Sequence, residues 1–158
     1  MKSTSLNEIK KELQALPAAE LLELCIGLAK YKKENKELLG YLLFESQNKT
    51  QFISEVKTEI AEQINTLKSQ SSLYFVKKGL RKTLRLISKY SKYINDKGLS
   101  AELYIYFCSQ LKHSGIPYHR SQMILNLYEQ QLKKINSLIE TLHEDLQFDY
   151  LKEVEGIK

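Results

Sequence analysis

The chain has 158 residues, 42% of them hydrophobic and 27% charged, with two prolines, six glycines and no tryptophan. That length suits one domain able to bury roughly 70% of the surface its unfolded chain exposes, and the apolar fraction excludes disorder as the default state. The net charge of +5 is unevenly placed: between Gln63 and Asn95 eight bases meet no acid, leaving sixteen bases against nineteen acids elsewhere.

Helical periodicity runs through the chain, and its punctuation is clear. Ser5-Leu-Asn-Glu8 reads as a capping box that opens a short helix with Leu6, Ile9, Leu13 and Leu16 on one face. Pro17 sits at the start of a second helix running to about Glu34, where its missing N–H costs nothing. Leu21, Leu22, Leu24, Cys25, Ile26 and Leu28 cover most of that helix's circumference, which predicts a place near the centre of the fold. Asn35 is a candidate cap for a third helix through Leu38–Leu43, and a fourth follows from about Lys49 with Ile53, Val56, Ile60, Ile64 and Leu67 on its stripe.

The polar run Lys68–Ser72 is the best internal loop, and Ser71 or Ser72 can cap the basic helix that follows. Asn95-Asp-Lys-Gly98 ends that helix, with Gly98 suited to a left-handed terminus. Leu99–His113 forms the next helix, and Gly115-Ile-Pro117 breaks it. A long helix is then predicted from near Tyr118. Its seam of Leu125, Tyr128, Leu132, Ile135, Ile139, Leu142 and Leu146 steps by three and four through three heptads, so it could self-associate. The flanking residues lack the alternating charges of a dedicated parallel zipper, which favours an antiparallel partner within a bundle.

Cys25 and Cys108 lie in apolar runs and read as buried reduced thiols. The opening MKSTSLNEIKKELQ has no apolar signal core, and the longest charge-free stretch is the nine residues Leu103–Leu111, far short of the ~20 that span a bilayer. The expected location is the cytoplasm.

Motifs for chemistry are missing. Cys108, His113 and His119 are spaced too widely for a zinc site, and Glu140-x-x-His143 is half of a helical di-iron pair whose second half the sequence lacks. No Gly-x-Ser-x-Gly, phosphate-binding glycine loop or His-Glu-x-x-His occurs. The expectation is a chain without catalytic, cofactor-binding or metal-ligating residues.

The candidate site is the basic helix. Placed at 100° per residue, Lys77, Lys78, Arg81, Lys82, Arg85, Lys89 and Lys92 fall within an arc of about 140°, beside a separate apolar arc. Tyr74 and Tyr93 accompany the cations and offer rings on which bases could stack. Four readings stay open: a solvated or internally neutralised face, an acidic protein partner, nucleic acid, or an anionic membrane surface. The acidic excess after Ile135 is the internal candidate for neutralisation.

The segments Leu16-Pro-Ala-Ala-Glu-Leu-Leu-Glu-Leu and Leu28-Ala-Lys-Tyr-Lys-Lys-Glu-Asn-Lys-Glu-Leu-Leu resemble the openings of small helical bacterial proteins of unknown function. The resemblance covers about the first 45 residues, implies an irregular bundle or helical-repeat architecture, and carries over no site residues.

The sequence thus predicts one all-α domain over residues 1–158, an irregular bundle or repeat-like stack of antiparallel hairpins, with a loosely packed acidic tail at 147–158. Its principal helices are expected to contain Leu21–Leu28, Val76–Ile94 and Leu125–Leu146. The functional expectation is a non-enzymatic helical protein-interaction module, with nucleic-acid binding through Lys77–Lys92 as the alternative.

Overall fold

A computed structural model describes residues 4–158. The fold is all-helical, with eight α-helices, a π-helical turn and a 3-10 turn among the described residues. The backbone divides into two compact units, Met1–Glu45 and Ser46–Lys158, where the sequence was read as one domain.

In the first unit, helix α1 (Leu6–Ala15) opens on the expected capping box. The Ser5 N–H donates to Glu8 Oε2 at 2.7 Å, and the Glu8 N–H donates back to Ser5 Oγ at 3.3 Å. The backbone N–H and the hydroxyl of Ser5 both hold the Glu8 carboxyl below its ordinary range. Helix α2 (Ala18–Tyr31) starts just after Pro17, as predicted, but stops three residues early. Lys32 is extended (φ −141°, ψ 144°), and α3 (Lys33–Gly40) follows, running into a π-helical turn at Tyr41–Glu45.

Asn35 does not cap α3. It lies inside that helix and turns its side chain back to α2, where Nδ2 donates to the Leu28 carbonyl at 2.8 Å and satisfies an end-of-helix acceptor. The all-round apolar helix is not the centre of a core. No residue of α2 is buried, and Cys25, expected inside, is exposed.

The second unit has the core. Its five long helices are α4 (Lys49–Leu67), α5 (Leu73–Ile94), α6 (Lys97–His113), α7 (Gln122–Ile139) and α8 (Glu144–Glu155). Helix α6 is the centre, packed against each of the other four. It buries residues over about 220° of its circumference, among them Ala101, Leu103, Tyr104, Phe107, Cys108 and Leu111. Burial pushes the Cys108 thiol up to about 12. The predicted stripe Ile53, Val56, Ile60, Ile64 and Leu67 is the buried set of α4.

Helices α4 and α5 form a hairpin joined by the predicted polar loop, with Ser72 as the cap of α5. They approach so closely at Gly79 that a Cβ there would lie 2.3 Å from Leu67 Cδ2. The end of α5 differs from expectation. Asn95, not Gly98, takes the left-handed conformation (φ 48°), and Asp96 accepts from the Leu99 N–H at 3.0 Å to cap α6. Gly98 is thereby helical and buried beneath Tyr150.

Two further expectations need correction. The heptad seam is broken: α7 ends at Ile139, a 3-10 turn at Tyr118–Arg120 precedes it, and Leu146 lies on α8, 47% exposed. Polar side chains stabilise the break. Thr141 Oγ1 donates to the Leu138 carbonyl at 2.7 Å, and Gln147 Nε2 donates to the Leu142 carbonyl at 2.8 Å. A continuous three-heptad surface for self-association is therefore absent.

The acidic tail is not loose either. Val154 and Ile157 are buried, Tyr128 Oη donates to the Ile157 carbonyl at 2.5 Å, and Lys112 Nζ donates to the Lys158 carbonyl at 3.0 Å.

Candidate functional site

The seven predicted cations share helix α5, and the fold sets them opposite its packed side. Val76, Leu80, Thr83, Ile87 and Ile94 are buried, centred about 160° around the helix from the cationic arc. Lys78, Arg81, Lys82, Arg85 and Lys92 are exposed. Lys77 is half-buried and donates to Met123 Sδ at 3.0 Å, tying α5 to α7. Lys89 is half-buried, with Nζ 4.8 Å from the centre of the Tyr90 ring.

Among the described residues, no acid pairs with the five exposed cations. The internal neutralisation considered from sequence does not occur there, because α8 carries its acids on a helix packed against α6 and α7. Tyr74 is 65% exposed at the start of the cationic face, edge-on to an exposed Phe75, whereas Tyr93 is half-buried against Tyr90.

The second candidate surface was missed by sequence reasoning, and it occupies the first unit. Its large apolar side chains face outward: Leu22, Leu28, Leu42 and Leu43 are 51–62% exposed, and Leu6 and Phe44 more than three-quarters. Two concavities flank the α2–α3 pair. One, of about 640 Å³, has an apolar floor including Ile26, Ala29, Leu39, Leu43 and Phe44, with Lys30, Lys33 and Lys36 at its rim. The other, of about 290 Å³, is lined by Cys25, Leu28, Asn35, Leu38, Leu39 and Leu42, none of them charged.

The larger volume lies within the roughly 300–1,000 Å³ of ordinary ligand pockets. Gly40 contributes to the larger trough, and the space where its Cβ would be is empty, so a partner can approach the α3 backbone closely. The sequence carries Lys30, Lys33 and Lys36 at a spacing of three, but on two different helices, so no single element marks the trough.

Among the described residues, no group of three or more His, Cys, Asp or Glu is placed to hold a metal, and no helix is long and apolar enough to cross a membrane. Cys108 and His113 occupy one helix, with His113 Nδ1 2.8 Å from the Ser109 carbonyl, and His119 lies in the 3-10 turn. Comparisons with protein-family models, with curated proteins and with solved structures found no match.

Proposed function

We propose that the chain is a non-enzymatic protein-interaction module whose first unit is the docking element. One observation carries this reading. Among the described residues of that unit only Tyr41 is buried, while apolar side chains on α1, α2, α3 and the π-helical turn stand exposed. Scattered exposed leucines are ordinary, but a unit with so little core and contiguous apolar relief is what an interaction surface looks like before it is covered. Paired helices with a groove between them suit a partner helix laid apolar face down. Affinity capture with the full chain from native extract, with and without nuclease, tests the reading. Retention of a protein in both samples supports it; retention only without nuclease refutes it.

A second reading, nucleic-acid binding through α5, is favoured by the five unpaired exposed cations on one helix face with Tyr74 beside them. Cations spaced four apart rise by about 6 Å along the helix, near the step between phosphates on one strand.

A further inference from the structure

The trough beside α2 and α3 has a chemical complement within the same sequence. Helix α8 carries five acids and one base, and Glu144, Phe148, Leu151 and Glu155 lie at heptad spacing within an arc of about 60°. The middle of this arc lies about 90° around the helix from Val154, which is buried on the packed side. Phe148 is 70% exposed and Leu151 43%. The result is a ridge with two apolar side chains at its middle and a carboxylate at each end, with Lys152 exposed beside it.

The trough is the converse: an apolar floor with three lysines at its rim and no acid in its lining. Among the described residues, neither Lys30 nor Lys36 has an acidic partner, and Lys33 meets only Glu37, at 3.6 Å and largely in solvent. The ridge acids Glu144 and Glu155 are likewise without a basic partner.

We propose that the Lys30–Lys33–Lys36 trough binds helix α8 of a second copy of this chain, Phe148 and Leu151 seating on Ile26, Leu39, Leu43 and Phe44. The inference rests on the reading of the first unit as a docking element and names its occupant. Each copy has one trough and one ridge, so a reciprocal exchange between two copies fills both and leaves none open. The apolar contact supplies the attraction, while the lysine–carboxylate pairs fix which helix enters and in which direction.

The test is a charge exchange read by sedimentation velocity on full chains. The native chain dimerises, and a Lys30→Glu/Lys33→Glu/Lys36→Glu chain does not. A Glu144→Lys/Glu155→Lys chain also fails to dimerise, each Kd rising about 100-fold because like charges now face one another. An equimolar mixture of the two variants restores the dimer, since each trough again meets an opposite ridge. Unchanged circular dichroism of both variants separates lost association from lost folding.

A native chain that stays monomeric to about 100 μM, far above the Kd of a specific interface, overturns the proposal. So does a dimer indifferent to both charge reversals, or a mixture that remains monomeric. None of these results touches the broader reading if the first unit still captures another protein.

Discussion

Truncating Phe107 should cost far more stability than truncating Leu28, although both are apolar residues in helices rich in them. Phe107 is fully buried on α6, the helix every other long helix of the second unit packs against. Phe107→Ala should therefore destabilise by about 3–5 kcal/mol, transfer and cavity terms together. The unit Ser46–Lys158 has an unfolding entropy near 0.24 kcal/mol/K at ~2.1 cal/mol/K per residue, so the melting temperature should fall by roughly 12–20 °C.

Ile60→Val, at another fully buried site on α4, calibrates the scale at about 0.5–1.5 kcal/mol. Leu28 is 62% exposed and Leu22 59%, so Leu28→Ala and Leu22→Ala should each stay within about 0.5 kcal/mol. Thermal and urea unfolding of dilute chain, followed by far-ultraviolet circular dichroism, measures all four. A Leu28→Ala loss comparable to that of Phe107→Ala would refute the assignment of the core to the second unit alone.

Tyr128→Phe removes the hydroxyl that donates to the buried Ile157 carbonyl, and should cost about 1–3 kcal/mol with early fraying of the C-terminus in hydrogen exchange. Backbone amides of α2 and α3 should exchange much faster in dilute chain than those of α4 and α6, because almost nothing in the first unit is buried. Cys108 titrates near 12 in the fold against 9.0 for an unperturbed thiol. With the folded value raised, the stability it contributes is fully present below about pH 9 and falls as pH rises from 9 towards 12. Cys108→Ala should flatten that slope in urea titrations. If the five exposed cations of α5 contact phosphates, log K against log salt should slope by about −4.5 on duplex DNA in anisotropy titrations. A flat salt response, or no binding at low salt, removes the nucleic-acid reading.

Periodicity made most helices legible, since a stripe such as Ile53–Val56–Ile60–Ile64–Leu67 leaves little choice of face. Centrality was harder to read. Helices α2 and α6 both carry apolar residues over more than half of their circumference, yet α6 buries them and α2 leaves them exposed. The sequence records that a surface must leave water, but not whether the covering atoms belong to the same molecule. The nine uncharged residues Leu103–Leu111 lie in the helix that four others contact, a central place not assigned to them from the sequence.

The breaks after Tyr31 and Ile139 were hidden for another reason. Each is stabilised by an amide side chain, Asn35 or Gln147, reaching back over several residues, and neither alters the helical pattern. The cationic face was legible because charge segregates by angle on one helix. The lysine-rimmed trough needs two helices and a turn to assemble, so spacing along one element could not reveal it.

If the apolar surface of the first unit is the docking surface, making it polar abolishes capture of the partner. The most direct measurement is parallel capture by the native chain and by a Leu28→Gln/Leu42→Gln/Leu43→Gln variant, with retained protein quantified after nuclease treatment. These side chains are 51–62% exposed, so the variant should keep the native helix content and melting temperature while losing the retained protein, whether a second copy or another chain. Equal retention by both chains, with the fold intact, would contradict the claim.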